Sequence, residues 1–131
     1  IHFDTESGVA FNRAGTPLME IVTEPDLHRP EETLAFLHAL KQVLQYGEIS
    51  DCNLEQGNIR CDINCSVRPE GAERLGTKIE IKNMNTFRGV FRALQHEIPR
   101  QIRELERGRA IAQETRRWDD AAQSRTCRRF A

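Results

Sequence analysis

From Asn58 to Arg68 apolar and polar residues alternate without a break. Ile59, Cys61, Ile63, Cys65 and Val67 fall on one side, and Arg60, Asp62, Asn64, Ser66 and Arg68 on the other. A period of two belongs to a strand with one face buried, so the pattern predicts such a strand over 58–68. Pro69-Glu70-Gly71-Ala72-Glu73 reads as a turn. Alternation resumes from Thr77 to Lys82, with Ile79 and Ile81 inward and Lys78, Glu80 and Lys82 outward. The two runs make an antiparallel pair.

Elsewhere the spacing changes to that of helices. Pro30-Glu31-Glu32 opens one, with proline in the first turn and acids at the positive helix end. Leu34, Leu37, Leu40/Lys41 and Leu44 continue it to Gly47. A longer helix is predicted from Thr86 to Arg107 along the stripe Phe87, Val90, Phe91, Leu94, Ile98, Ile102 and Leu105, stopped by Gly108 and kinked at Pro99. Two further strands are expected, at Thr16–Glu24 between Pro17 and Pro25, and at Ile111–Trp118 with Glu114 and Arg116 on one side. The order β-α-β-β-α-β implies an α+β fold, a largely antiparallel sheet with helices packed on one face.

At 131 residues the chain is one domain's worth, long enough to bury a core. It starts without methionine and ends on Arg128-Arg129-Phe130-Ala131, which reads as a piece of a longer protein. No apolar run is long enough for a membrane span, and the start Ile1-His2-Phe3-Asp4 has neither the basic nor the apolar region expected of a signal peptide. The net charge of -1 conceals a gradient. Residues 1–57 hold ten Asp/Glu against three Lys/Arg, whereas residues 88–131 hold eleven Lys/Arg against six Asp/Glu. An acidic end suits cations and an arginine-rich end suits phosphate backbones, although unbalanced solvated faces give the same gradient. Cys52, Cys61, Cys65 and Cys127 form no C-x-x-C knuckle, which argues against structural zinc. On one strand face Cys61 and Cys65 would lie about 13 Å apart, too far for a disulfide, so both are expected as buried free thiols of a reducing compartment.

The predicted pair turns Arg60, Asp62, Asn64, Lys78, Glu80 and Lys82 to the uncovered sheet face, continued by Asn83 and Asn85. Solvent contact alone accounts for such residues. Equally, carboxylates can hold a hard cation while lysine and amides hold the phosphates of a nucleotide. No G-x-x-x-x-G-K-[ST], G-x-G-x-x-G, G-x-S-x-G or H-E-x-x-H motif is present.

The runs Asn12 to Asp26 (NRAGTPLMEIVTEPD), Arg60 to Pro69 (RCDINCSVRP), Gly76 to Asn85 (GTKIEIKNMN) and Gln113 to Asp119 (QETRRWD), in this order, closely resemble the B subunits of aspartyl/glutamyl-tRNA(Asn/Gln) amidotransferase, GatB. The resemblance covers essentially the whole chain, and it implies a fragment of an α+β cradle domain lacking the first strand region and the C-terminal helical and tail domains. It implies a ligase that phosphorylates the side-chain carboxylate of Glu-tRNA(Gln) or Asp-tRNA(Asn) with ATP and Mg2+. Glutamine-derived ammonia from the A subunit completes the amide, and the C subunit braces the heterotrimer. A cytoplasmic, bacterial setting follows, with organelles as a variant. An archaeal subunit specific for Glu-tRNA(Gln) is related.

The same resemblance makes Glu20 a magnesium ligand and places it with Asp62, Glu80 and Lys82 as catalytic residues. It gives Arg60, Asn64, Asn83 and Asn85 to the nucleotide and activated-carboxylate pocket. Further metal ligands are implied upstream of Ile1, whereas His2, Asp4 and Glu6 match no ligand. The chain departs from the family at Ala10 (usually Asp), Gln56 (usually Glu), Pro99 in a helix usually rich in Glu, and Arg109-Ala110 (usually Gly-Glu). The isolated chain is expected to be inactive, retaining salt-sensitive tRNA affinity through Arg88, Arg92, Arg100, Arg103, Arg116 and Arg117. The alternatives are a non-catalytic tRNA-binding module and a scaffold subunit.

Overall fold

The computed structural model describes residues 9–54, 57–120 and 128–129. Along these the order is α1 (Pro30–Tyr46), β1 (Ile63–Cys65), β2 (Ile79–Lys82), α2 (Phe87–Glu106), β3 (Thr115–Arg117) and β4 (Arg128–Arg129). The strands form one sheet in that order. β1 and β3 flank β2, antiparallel and parallel respectively, and β4 adds antiparallel to β3. An α+β fold with two antiparallel pairings out of three matches the expected class.

Both helices start where expected. Pro30 opens α1, and the backbone N–H of His28 donates to Glu32 Oε2 at 2.8 Å, which holds that carboxyl below its usual range. Thr86 caps α2 by accepting from Gly89 N at 2.9 Å. α2 runs through Pro99 without interruption, so the expected kink does not break it. The carbonyl that Pro99 leaves undonated belongs to exposed Gln95, within reach of water.

The core gathers Leu37 of α1, Cys65, Ile79 and Ile81 of the sheet, Phe87, Val90, Ala93 and Leu94 of α2, and Met84 and Trp118. α1 packs on α2, and α2 on β1. The alternation around β1 survives as burial: Ile59, Cys61, Ile63 and Cys65 are sheltered while Arg60, Asp62 and Asn64 are exposed. The ladder itself is shorter than the predicted 58–68, because β2 offers only Ile79–Lys82 as a partner. Gly76 lies so close to the Val67 carbonyl that an added Cβ would stand 2.0 Å from that oxygen, so only glycine fits there.

Two expectations fail. Thr16–Glu24 forms no strand and pairs with none among the described residues, and residues 9–29 are all exposed. A strand is defined by its partner as much as by its own residues, and Leu18, Met19, Ile21 and Val22 find none here. The stripe of α2 also departs from prediction in its second half. Ile102 and Leu105 are 39% and 40% exposed, whereas Glu97 and Gln101 are fully buried.

Cys65 is buried, Cys61 is half-buried, and both are free thiols. Burial raises each from 9.0 to about 11, with Asp62 adding to the effect at Cys61 and Glu97 at Cys65. At pH 8 such a shift lowers the thiolate fraction about 100-fold, and alkylation of the native chain should slow accordingly, becoming fast in denaturant. Because the folded values lie above the unfolded ones, this contribution to stability is complete below pH 9 and is lost as pH rises towards 11. Denaturation midpoints across that window should fall more steeply in the native chain than in a Cys61→Ala/Cys65→Ala variant.

Candidate functional site

The uncovered face of the sheet is built by alternation on three strands. Ile63, Ile81 and Arg116 are register partners on the helix-covered side. Their neighbours Asp62, Asn64, Glu80, Lys82, Thr115 and Arg117 therefore share the other side. Asn64 lies opposite Glu80, and Thr115 beside it on the other flank.

At the centre stands Lys82, its Nζ 3.5 Å from Glu80 Oε1 and 3.9 Å from Asp62 Oδ2. Glu80 is oriented from its other oxygen, Oε2, which accepts from Thr115 Oγ1 at 2.8 Å. Lys82 and Asp62 are each about half exposed, at 48% and 52%. Ion pairs so wet and so long contribute about 0–1 kcal/mol. Their geometry orients the ammonium without binding it tightly, leaving it ready to meet an arriving anion.

Asn83 is positioned differently from expectation. Its φ of 69° is left-handed, a conformation asparagine accepts better than other side chains with a Cβ. Its Nδ2 donates to the Trp118 carbonyl at 3.0 Å, and its Oδ1 accepts from Arg117 at 3.3 Å. Trp118 N in turn donates to the Lys82 carbonyl at 2.9 Å. Asn83 thus ties the end of β2 to the end of β3 beside Lys82. Asn85 stands elsewhere, lining an open cleft of about 380 Å³ with Lys41, Gln45, Asp51, Asn53 and Phe87, which none of Asp62, Asn64, Glu80 and Lys82 lines.

Of the residues expected in one pocket, the structure brings Asp62, Asn64, Glu80 and Lys82 together. Arg60 is exposed ahead of β1. Glu20 is exposed within the unpaired 16–24 segment. Among the described residues no group of three or more His, Cys, Asp and Glu converges to hold a metal, and Asp62 and Glu80 are turned to an ammonium. The donors present do not complete a magnesium site. His2, Asp4, Glu6, Gln56 and Cys127 lie outside the described residues.

Thr115 and Arg117 were not among the expected site residues. Alternation over 111–118 already opposed them to Glu114 and Arg116, but nothing in it names β2 as the neighbouring strand. The arginines are also redistributed. Arg100 and Arg116 are mostly buried and paired with Glu97, which takes these two out of any phosphate-binding row, whereas Arg92 pairs loosely with Asp120 at 3.7 Å and Arg88, Arg103 and Arg117 are exposed.

The architecture is that of an α+β domain presenting an oriented, solvent-open lysine between two carboxylates. The model of the GatB/GatE catalytic domain matches residues 1–130, and the chain belongs to that family. It is 58% identical over 119 residues to the B subunit of the aspartyl/glutamyl-tRNA(Asn/Gln) amidotransferase of Methylacidiphilum infernorum, covering 91% of this chain and 24% of that protein. The corresponding B subunit of Caldicellulosiruptor bescii is 55% identical over 122 residues, covering 92% and 25%. That of a Thermoanaerobacter species is 54% identical over 122 residues, covering 92% and 26%. The chain spans about a quarter of the length of these relatives.

Because Asn83 sits at a φ of 69°, Asn83→Gly, which keeps the left-handed backbone unstrained, should be less destabilising than Asn83→Ala by about 1 kcal/mol, both variants losing the side-chain brace alike. Urea denaturation of the two variants measures the gap.

Proposed function

We propose that this chain is part of the carboxylate-activating domain of the B subunit of a tRNA-dependent amidotransferase, acting in the cytoplasm with the A and C subunits. The reaction is ATP-dependent phosphorylation of the side-chain carboxylate of Glu-tRNA(Gln) or Asp-tRNA(Asn), followed by amidation with ammonia derived from glutamine. What supports the reading, beside family membership, is the Lys82 ammonium held between Asp62 and Glu80 on an open sheet face.

The work of this face is electrostatic. Phosphoryl transfer to a carboxylate brings two anions together, and fixed cations lower that repulsion. Lys82 meets the phosphate or the carboxylate, Arg117 adds a second cation at the rim, and Asn64 supplies an amide. Asp62 and Glu80 aim Lys82. Magnesium would neutralise phosphate charge when bound. Glu20 is proposed as one ligand, with the remainder supplied from outside the described residues, and no step is routed through the ion.

In the full-length complex, Lys82→Met should lower kcat for ATP-dependent amidation about 10²–10³-fold while leaving glutamine hydrolysis intact. Unchanged amidation would remove Lys82 from the site. Glu20→Gln should abolish the same step without weakening tRNA binding, read by filter binding alongside the amidation assay.

A further inference from the structure

Strand β3 has no apolar residue; its three positions are Thr115, Arg116 and Arg117. The apolar anchor beside it is Trp118, two residues beyond Arg116 on the same side and buried in the core. Within the three ladder positions, however, two consecutive arginines make the faces nearly alike, so the charge at 116 bears on whether the strand slips by one residue and turns over. The structure nonetheless places Arg116 beside Ile81 on the covered side, and Thr115 and Arg117 on the open side.

Arg116 is turned beneath α2, its Nε 3.7 Å from Glu97 Oε2. Glu97 is fully buried and held in place from its own helix. Arg100 grips both its oxygens at 2.6 and 3.0 Å, and Gln101 Nε2 donates to Oε1 at 3.0 Å and to the Cys65 carbonyl at 3.2 Å. Glu114 Oε1 also accepts from Arg116, at 2.9 Å. Residues two apart on a strand share a face, however, so that pair moves with β3 and cannot choose between faces. Glu97 sits on another element and can. A buried ion cluster is weak evidence of stabilisation, and its best-attested use is to fix registry.

We infer that Glu97 is a positioning residue: together with the buried Trp118, its carboxylate holds the register of β3 by drawing Arg116 under α2, which delivers Thr115 to Glu80 and Arg117 to Asn83 on the polar face. The consequence for catalysis rests on the proposed function of that face; the choice of register does not.

Register is read directly by a disulfide between Glu80→Cys and Thr115→Cys in the full-length chain, mapped by mass spectrometry, since these side chains meet across β2 and β3. Oxidation should be equally fast in the parent and in Arg116→Met, where an apolar side chain takes the covered position and Glu97 keeps Arg100. In Glu97→Met, Arg116 keeps Glu114 but loses the carboxylate on α2 and should be drawn towards water, slowing oxidation about tenfold at equal folded fraction. The double variant Glu97→Met/Arg116→Met should return to the parent rate. Fast oxidation in Glu97→Met, or slow oxidation in a folded double variant, would overturn the inference. If Glu97→Met does not fold, the double variant and Arg116→Met still decide it. Amidation is then assayed with native Glu80 and Thr115. Slowed oxidation with undiminished amidation in the Glu97→Met complex would uphold the register role and overturn the reading of the polar face. Loss of amidation in Glu97→Met, recovered in the double variant, supports both.

Discussion

Glu97 carries a carboxylate with no solvent contact into the layer between α2 and the sheet, and the arrangement of both depends on compensating it. Stripped of partners, such a group would cost several kcal/mol. Arg100, Gln101 and Arg116 converge on it, and Glu114 balances the second guanidinium, so the cluster holds two carboxylates and two guanidiniums. Gln101 extends the cluster to the Cys65 carbonyl, linking α2 to β1, while Arg116 links it to β3. The polar half of the helix thereby touches strands on both sides of β2, whose own inward residues Ile79 and Ile81 are fully buried.

The two faces of the sheet carry charge under opposite rules. On the covered side the charges are dry, with Arg100 2.6 Å and Arg116 3.7 Å from Glu97, and removing that carboxylate leaves buried cations. On the open side Lys82, Asp62 and Glu80 sit 3.5 to 3.9 Å apart in water, where pairing contributes little and exchange with a ligand costs little. Rigid electrostatics behind a sheet and adaptable electrostatics in front suit a site that must accept and release anions.

Charge by sequence position proved a poor guide to charge in space. Of the arginines expected to meet tRNA, Arg100 and Arg116 are held inside the fold, while Arg88, Arg103 and Arg117 stay exposed. Lys82, oriented outward between two carboxylates, comes instead from residues 58–87, where five Lys/Arg meet four Asp/Glu.

What the sequence determined by itself was the alternation of the two central strands and the starts of both helices. Alternation at Ile59–Cys65 and Ile79–Lys82 set the inward and outward residues of β1 and β2, and so placed Asp62, Asn64, Glu80 and Lys82 on one face. Proline, acidic and threonine signals set the helix starts at Pro30 and Phe87. Tertiary structure decided the rest, because it turned on which element lies beside which. Thr16–Glu24 has the residues of a strand but no partner among those described. Ile102 and Leu105 lost the buried stripe to Glu97 and Gln101, since a charge on the facing strand made a polar interior favourable there. Asn83 was drawn to the Trp118 carbonyl, 35 residues away, by a parallel pairing that no local pattern encodes.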